Sequence, residues 1–244
     1  MILNQLTTIK GGRKAFIWLV DPDKCPACHL ESQTLLADRV GVDLVFTGGS
    51  LVYHSLDSII LRIKELTDIP VVLFPGSPLQ LSRHADGILL LSLISGRNAE
   101  YLIGNHVIAA PFIKGSGLKI IPTGYILVDG GCETSVSYMS NSRPIPADKP
   151  DIAVATAMAG EMLGLKVLYM DAGSGAINRI PPKMIEAVAS EISIPLIIGG
   201  GLRTPSDIRE AYAAGADAVV VGNAAEAGLF DLGQLVAVRD SFNT

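Results

Sequence analysis

Apolar, β-branched runs recur along the whole chain, each followed by Gly, Ser, Asp or Asn. They are "AFIWLVDPDK" from Ala15, "VDLVFTGGS" from Val42, "PVVLFPGS" from Pro70 and "DGILLLSLIS" from Asp86. The second half of the chain adds "KIIPTGYILVDGG" from Lys119, "KVLYMDAGSG" from Lys166, "IPLIIGGG" from Ile194 and "ADAVVVGNA" from Ala216. Short apolar runs bounded by turn residues predict buried strands. Between most of them lie stretches with helical spacing: "HLESQTLLADRVG", "LDSIILRIKELTD", "DIAVATAMAGEMLG", "PPKMIEAVASEIS" and "TPSDIREAYAAG". Several of these begin at a capping residue and end at Gly. Strand-then-helix units repeated eight times in 244 residues predict an α/β fold, a single (β/α)8 TIM barrel over residues 1–244. An open doubly wound sheet would favour G-x-G-x-x-G after the first strand, where this chain has "DPDKCP". Strands three and four are joined only by "GSPLQLSRHA", broken by Pro78. That is too short for a connection with a full helix, so the barrel is expected to lack its third outer helix. Gly131 to Pro150 is the only long stretch of loop composition. Such loops in a compact domain are usually functional or mobile.

Composition sharpens this picture. The chain is 49% hydrophobic but only 5% aromatic, so small aliphatic residues do the packing, as in parallel strands covered by helices. A net charge of −5 without a basic stripe argues against nucleic acid as a partner. No apolar run approaches the ~18–20 residues of a membrane span, and the N-terminal stretch lacks a signal-peptide pattern. The expectation is a cytoplasmic protein with reduced cysteines. That bears on "CPACH", which spells a haem-attachment site and part of a zinc or redox site. Covalent haem attachment normally takes place outside the cytoplasm. Closed zinc sites need four ligands; Cys25, Cys28 and His29 give three, and Cys132 is far along the chain. The simpler reading is that Pro26 breaks the chain after the strand and Cys28 begins a helix.

In this fold the chemistry sits where strands end at their C-termini. After strand seven comes Gly199-Gly200-Gly201, and after strand eight Gly222-Asn223. Paired glycine loops there expose backbone N–H groups to an anion, and a following helix aims its N-terminus at it, which predicts a phosphate site. Strand six ends in "YMDAGSGA", and alternation sends Tyr169 and Asp171 to the same face. A carboxylate there can take a proton from a substrate hydroxyl. Across the barrel, strand one supplies Asp21 and Asp23, and strand two supplies Thr47 and Ser50. These hard oxygen ligands suit Mg²⁺ that is also bound to substrate phosphate and water.

With these residues placed, the sequence resembles the geranylgeranylglyceryl phosphate synthase family, which includes the heptaprenylglyceryl phosphate synthases. "DPDK", "TGGS", "YMDAGSGA", "IIGGGLRTP" and "VVGNA" carry the resemblance, in order over nearly the whole chain. It implies a barrel with its third helix replaced. It also implies Mg²⁺-dependent transfer of a prenyl group from its diphosphate to the 3-hydroxyl of sn-glycerol 1-phosphate. Position by position, Asp21 and Ser50 would hold the metal. Tyr169, Met170, Asp171, Ala172, Gly173, Ser174 and Gly175, with Gly200, Gly201, Gly222 and Asn223, would hold the glycerol phosphate. Asp171 and Tyr169 would be the catalytic pair. Two departures stand out: Leu19 replaces a Lys found in one branch, so cationic help must come from elsewhere, and Asp171 replaces the Glu of many members. The spelling is similar to the larger branch, of archaea and some bacteria, which implies a C20 donor. A homo-oligomer, dimer or hexamer, and peripheral membrane contact for the lipid product complete what the resemblance implies. Other readings remain open at this point. They are a phosphate-barrel isomerase or cyclase acting on a sugar phosphate, a non-catalytic phosphate binder, and a cysteine-centred metal or redox protein.

Overall fold

The computed structural model describes residues 6, 9–25, 27–222 and 231–243. Parallel strands follow one another in chain order and close into a barrel. They are β1 (Ala15–Val20), β2 (Leu44–Thr47), β3 (Val71–Leu73), β4 (Gly87–Leu93), β5 (Lys119–Leu127), β6 (Val167–Asp171), β7 (Leu196–Gly199) and β8 (Ala218–Val221). Closure is made at β1, where Ile17 pairs with Leu44 on one side and Val220 on the other. Alternation divides each strand between two cores. Ile17, Phe46, Val72, Leu89, Tyr125, Tyr169 and Val220 fill the interior. Trp18, Val45, Val71, Leu168, Met170 and Val219 pack outward beneath the helices. Burial on both faces is why these strands read as unbroken apolar runs.

The helices are α1 (Ala27–Val40), α2 (Leu56–Leu66), a π-helical turn (Glu100–Gly104) running into α3 (Asn105–Ser116), α4 (Ser135–Ser140), α5 (Pro150–Met162), α6 (Pro182–Glu191), α7 (Pro205–Ala213) and α8 (Leu232–Asp240). Proline opens α5, α6 and α7, where its fixed φ suits the first turn and its missing N–H costs no bond. Residues 74–86, between β3 and β4, form turns without a helix, so the third outer helix is absent as the short connection predicts. The hydrophobic pattern did not mark α3, α4 or α8. α3 exposes Val107, Ile108 and Phe112, and without a polar outer face it shows no amphipathic period. α4 is only six residues long and lies inside the stretch predicted as a loop. A capping box between Thr134 and Ser137 starts it, and Ile145 then pairs with Val128 beside β5. Gly131–Pro150 is therefore folded against the barrel mouth.

At the opposite rim Asp217, 1% exposed, accepts the N–H groups of Leu196 (2.9 Å) and Gly11 (3.1 Å), with Lys10 at 3.6 Å. Among the described residues no helix is long and apolar enough to cross a membrane.

Candidate active site

A cavity of about 430 Å³ opens at the C-terminal ends of the strands. Its walls bring together Asp21 and Ser50 after β1 and β2, and Tyr169, Asp171, Gly173–Gly175, Gly200 and Gly201 on and after β6 and β7, with Gly222 after β8 beside Leu19 of β1. Asn223 lies outside the described residues. Met170 and Ala172 belong to the outer core and do not line the cavity. On a strand their side chains point away from those of Tyr169 and Asp171, so any part they take in binding falls to their backbone. Thr47 shares the outward face of Val45, and its buried hydroxyl has no hydrogen-bond partner among the described residues. It is not a wall of the cavity, which removes it from the candidate metal ligands.

The two aspartates of "DPDK" do different things. Asp21 faces the cavity, and the Lys24 ammonium lies 2.7 Å from its Oδ2. Lys24 thus supplies beside Asp21 a cation that Leu19 cannot. Asp23 instead clamps the loop after β2. It accepts the N–H groups of Tyr53 (2.9 Å) and His54 (3.0 Å), and His54 Nδ1 lies 2.6 Å from Oδ1. Desolvation of Asp23 is outweighed by these bonds and by the imidazole, so its pKa falls below the ordinary value. The "TGGS" loop is fixed from its other side by Gln80, in the connection that replaces the third helix. Gln80 Nε2 donates to the Gly49 carbonyl (2.8 Å), and its Oε1 accepts the Gly76 N–H (3.1 Å). Gly76 must be bare here, because a Cβ would lie 2.7 Å from the Ser50 Cα.

The anion side is built on left-handed glycines. Gly200 has φ +75°, and a Cβ there would collide with Asp171 Oδ1 and the backbone N–H groups of Ala172 and Gly173. Just before α7, Asp207 accepts the N–H groups of Thr204 (2.8 Å) and Arg203 (3.0 Å), so these two amides are already engaged. The glycine loops themselves therefore carry the anion reading. Arg203 adds a cation to this wall. Its guanidinium donates to the carbonyls of Ala176 and Ile177, which fixes the loop after β6.

Asp171 is 7% exposed, and both its oxygens are engaged. Oδ1 accepts the Gly173 N–H at 2.8 Å, and Oδ2 accepts the Tyr125 hydroxyl at 2.5 Å. Burial raises its pKa above the ordinary carboxylate value, and these two bonds only partly offset that. Tyr125 and Tyr169 stack at 5.4 Å, with Phe74 5.1 Å from Tyr169. Burial, and then the Asp171 charge, push both phenols well above their ordinary range, so both stay protonated. Tyr125 went unmarked in the sequence. Its only signal is that it shares the interior phase of β5 with Leu127 and pairs with Tyr169 in register.

A second, apolar groove leaves the cavity where the third helix is missing. Leu81, Ile88, Leu90, Ala109 and Ile113 line it, and Ser50, Phe74 and Tyr125 belong to both spaces. His106 Nε2 is paired with the Leu91 carbonyl at 2.8 Å on this wall of the groove.

Oxygen donors at Asp21 and Ser50 are hard ligands, and no group of three or more His, Cys, Asp or Glu side chains that could hold a metal exists among the described residues. A divalent cation held here would need its other ligands from substrate and water, a donor set that fits Mg²⁺. Of the cysteines, Cys25 is buried in the outer core, and Cys132, in the loop after β5, contacts the Gly175 carbonyl of the neighbouring loop after β6 at 3.7 Å. The Cys28 side chain lies outside the described residues.

A model of the PcrB family matches residues 8–234. The geranylgeranylglyceryl phosphate synthase of Chitinophaga pinensis is 56% identical over 219 residues, covering 88% of this chain and 86% of its own. That of Pyrococcus abyssi is 39% identical over 220 residues, covering 89% and 86%. Among solved structures, the (S)-3-O-geranylgeranylglyceryl phosphate synthase of Thermoplasma acidophilum, in complex with sn-glycerol-1-phosphate, matches with a TM-score of 0.93. It is 31% identical and covers 99% of each chain. The N-acetylmannosamine-6-phosphate 2-epimerase of Clostridium perfringens, at 14% identity and a TM-score of 0.56 over 92% of this chain and 90% of its own, shares the barrel fold alone.

Proposed function

Since the chain belongs to the PcrB family, we propose that it transfers a prenyl group from a polyprenyl diphosphate to the 3-hydroxyl of sn-glycerol 1-phosphate. The products are an ether-lipid precursor and diphosphate. The observation that carries this reading is the junction of two unlike spaces at Ser50, Phe74 and Tyr125. A polar mouth suits glycerol phosphate, and an apolar groove suits a prenyl chain, with burial worth ~0.8 kcal/mol per CH₂-sized group. A sugar-phosphate isomerase would leave that groove without a use.

Glycine amides of the β6 and β7 loops, with Arg203 nearby, hold the phosphate, and this fixes the glycerol hydroxyl at the junction. Asp21 and Ser50 would hold Mg²⁺. When bound, the ion supplies positive charge to the departing diphosphate. The allylic C–O bond breaks, the glycerol hydroxyl oxygen bonds to the same carbon, and its proton passes to Asp171. A C20 donor is the proposed preference. Incubation with sn-glycerol 1-phosphate, Mg²⁺ and labelled donors of graded length tests the reading by mass spectrometry of the product. Ether product that forms best from C20 and is lost with a chelator is the expected result. Consumption of glycerol phosphate without prenyl transfer would refute it.

A further inference from the structure

We propose that Tyr125 is a positioning residue for the proton acceptor, its hydroxyl holding Asp171 Oδ2 so that the short carboxylate faces the substrate hydroxyl in its charged form. The proposal rests on the reading of Asp171 as the group that takes the proton.

Asp171 has little freedom. One oxygen is tied to the Gly173 N–H, Gly200 closes against the same oxygen, and the other meets Tyr125 at 2.5 Å. A carboxylate has about four lone-pair sites, so each oxygen keeps one further direction for a substrate proton. The phenol comes from β5, where Tyr125 pairs with Tyr169 in register and their rings stack at 20°. The donor is thus set by two strands and a ring face, and it is buried with Asp171. Hydrogen bonds to a charged group favour that charge. Burial alone would leave the carboxyl protonated to higher pH and unable to accept a proton. The Tyr125 hydroxyl acts against this. It also anchors the end of a side chain one methylene shorter than glutamate.

Tyr125→Phe removes the donor and keeps the ring. The readout is the single-turnover rate against pH at saturating donor, with KM for sn-glycerol 1-phosphate measured in parallel. The expected result is an acidic limb displaced upward by about one pH unit, a rate reduced by about tenfold on that limb and by less above it, and KM within about twofold of the parent. A purely structural role would raise KM or lower the thermal midpoint and leave the limb in place, which would overturn the proposal. Asp171→Asn is the control. It should lose both turnover and the acidic limb. If Asp171→Asn keeps both, the proton-acceptor reading fails, and the role of Tyr125 fails with it. If Asp171→Asn behaves as expected while Tyr125→Phe leaves the limb unmoved, only the role of Tyr125 fails.

Discussion

At the scale of single residues, two aspartates two positions apart are predicted to fail in different ways. Asp21→Asn keeps shape and removes the charge that would hold Mg²⁺ against the leaving group. Turnover should fall by ~10²–10³, with KM for sn-glycerol 1-phosphate little changed, as titration of turnover against Mg²⁺ would show. Asp23→Asn weakens the clamp on Tyr53 and His54, so its effect should appear first in the thermal midpoint. Asp171 carries a cost of its own. Its pKa is raised in the folded state by burial, so between the ordinary carboxylate value of about 3.9 and that raised value the native state binds more protons than the unfolded chain. Stability is then lost as pH rises through this window. Asp171→Asn should accordingly raise the thermal midpoint at pH 7 while abolishing turnover, and the gain should shrink as pH falls below about 4. A midpoint that drops equally at both pH values would contradict this. Asp21, Ser50 and Asp171 were legible in the sequence because each sits where a recognisable strand ends. Tyr125, Lys24 and Gln80 were not. Gln80 reaches Gly49 across a gap of 31 residues, and Tyr125 reaches Asp171 across 46. Contacts of that range are set by barrel closure and leave no local pattern.

Among the elements, the missing third helix has the largest consequence. The segment between β3 and β4 cannot cover β4, so Ile88 and Leu90 face a groove whose other wall is α3. The same segment folds Gln80 back onto the loop that presents Ser50, so one short connection both opens the groove and fixes its entrance. All strands and the absent helix were readable from apolar runs and connection length. α3 was not, because exposed Val107, Ile108 and Phe112 erase the polar face that the eye, or any periodicity measure, requires. The groove reading makes a prediction at this scale. Ala109 lines the groove from α3, and Ala109→Trp would fill it. The preferred donor should become shorter, with turnover of the C20 donor falling at least tenfold and that of a C10 donor largely retained. Competition between the two donors in one reaction would report the change, and an unaltered preference would place the tail elsewhere.

For the molecule as a whole, stability and chemistry are kept at opposite ends of the barrel. Asp217 joins β8 to β7 and to the segment before β1 at the N-terminal rim, far from the mouth. Asp217→Ala would leave the buried N–H of Leu196 unpaired and remove the carboxylate facing Lys10, at a cost of about 3 kcal/mol. Denaturant unfolding should show that loss, while KM for both substrates stays near the parental value below the transition. The central claim concerns the other end: one mouth holds two substrates on opposite walls, with diphosphate at β1 and β2 and glycerol phosphate at β6 and β7. It is tested most directly by measuring KM for each substrate in Asp21→Asn and Gly200→Asp. Gly200→Asp would place a side chain and a like charge where the glycerol phosphate is proposed to lie and would also crowd Asp171 Oδ1, so turnover should fall and KM for sn-glycerol 1-phosphate rise at least tenfold, with the prenyl diphosphate KM unmoved. Asp21→Asn should lower turnover and shift the Mg²⁺ and prenyl diphosphate dependence alone. If either variant moves both substrates equally, or if each moves the wrong one, the two-walled site is contradicted.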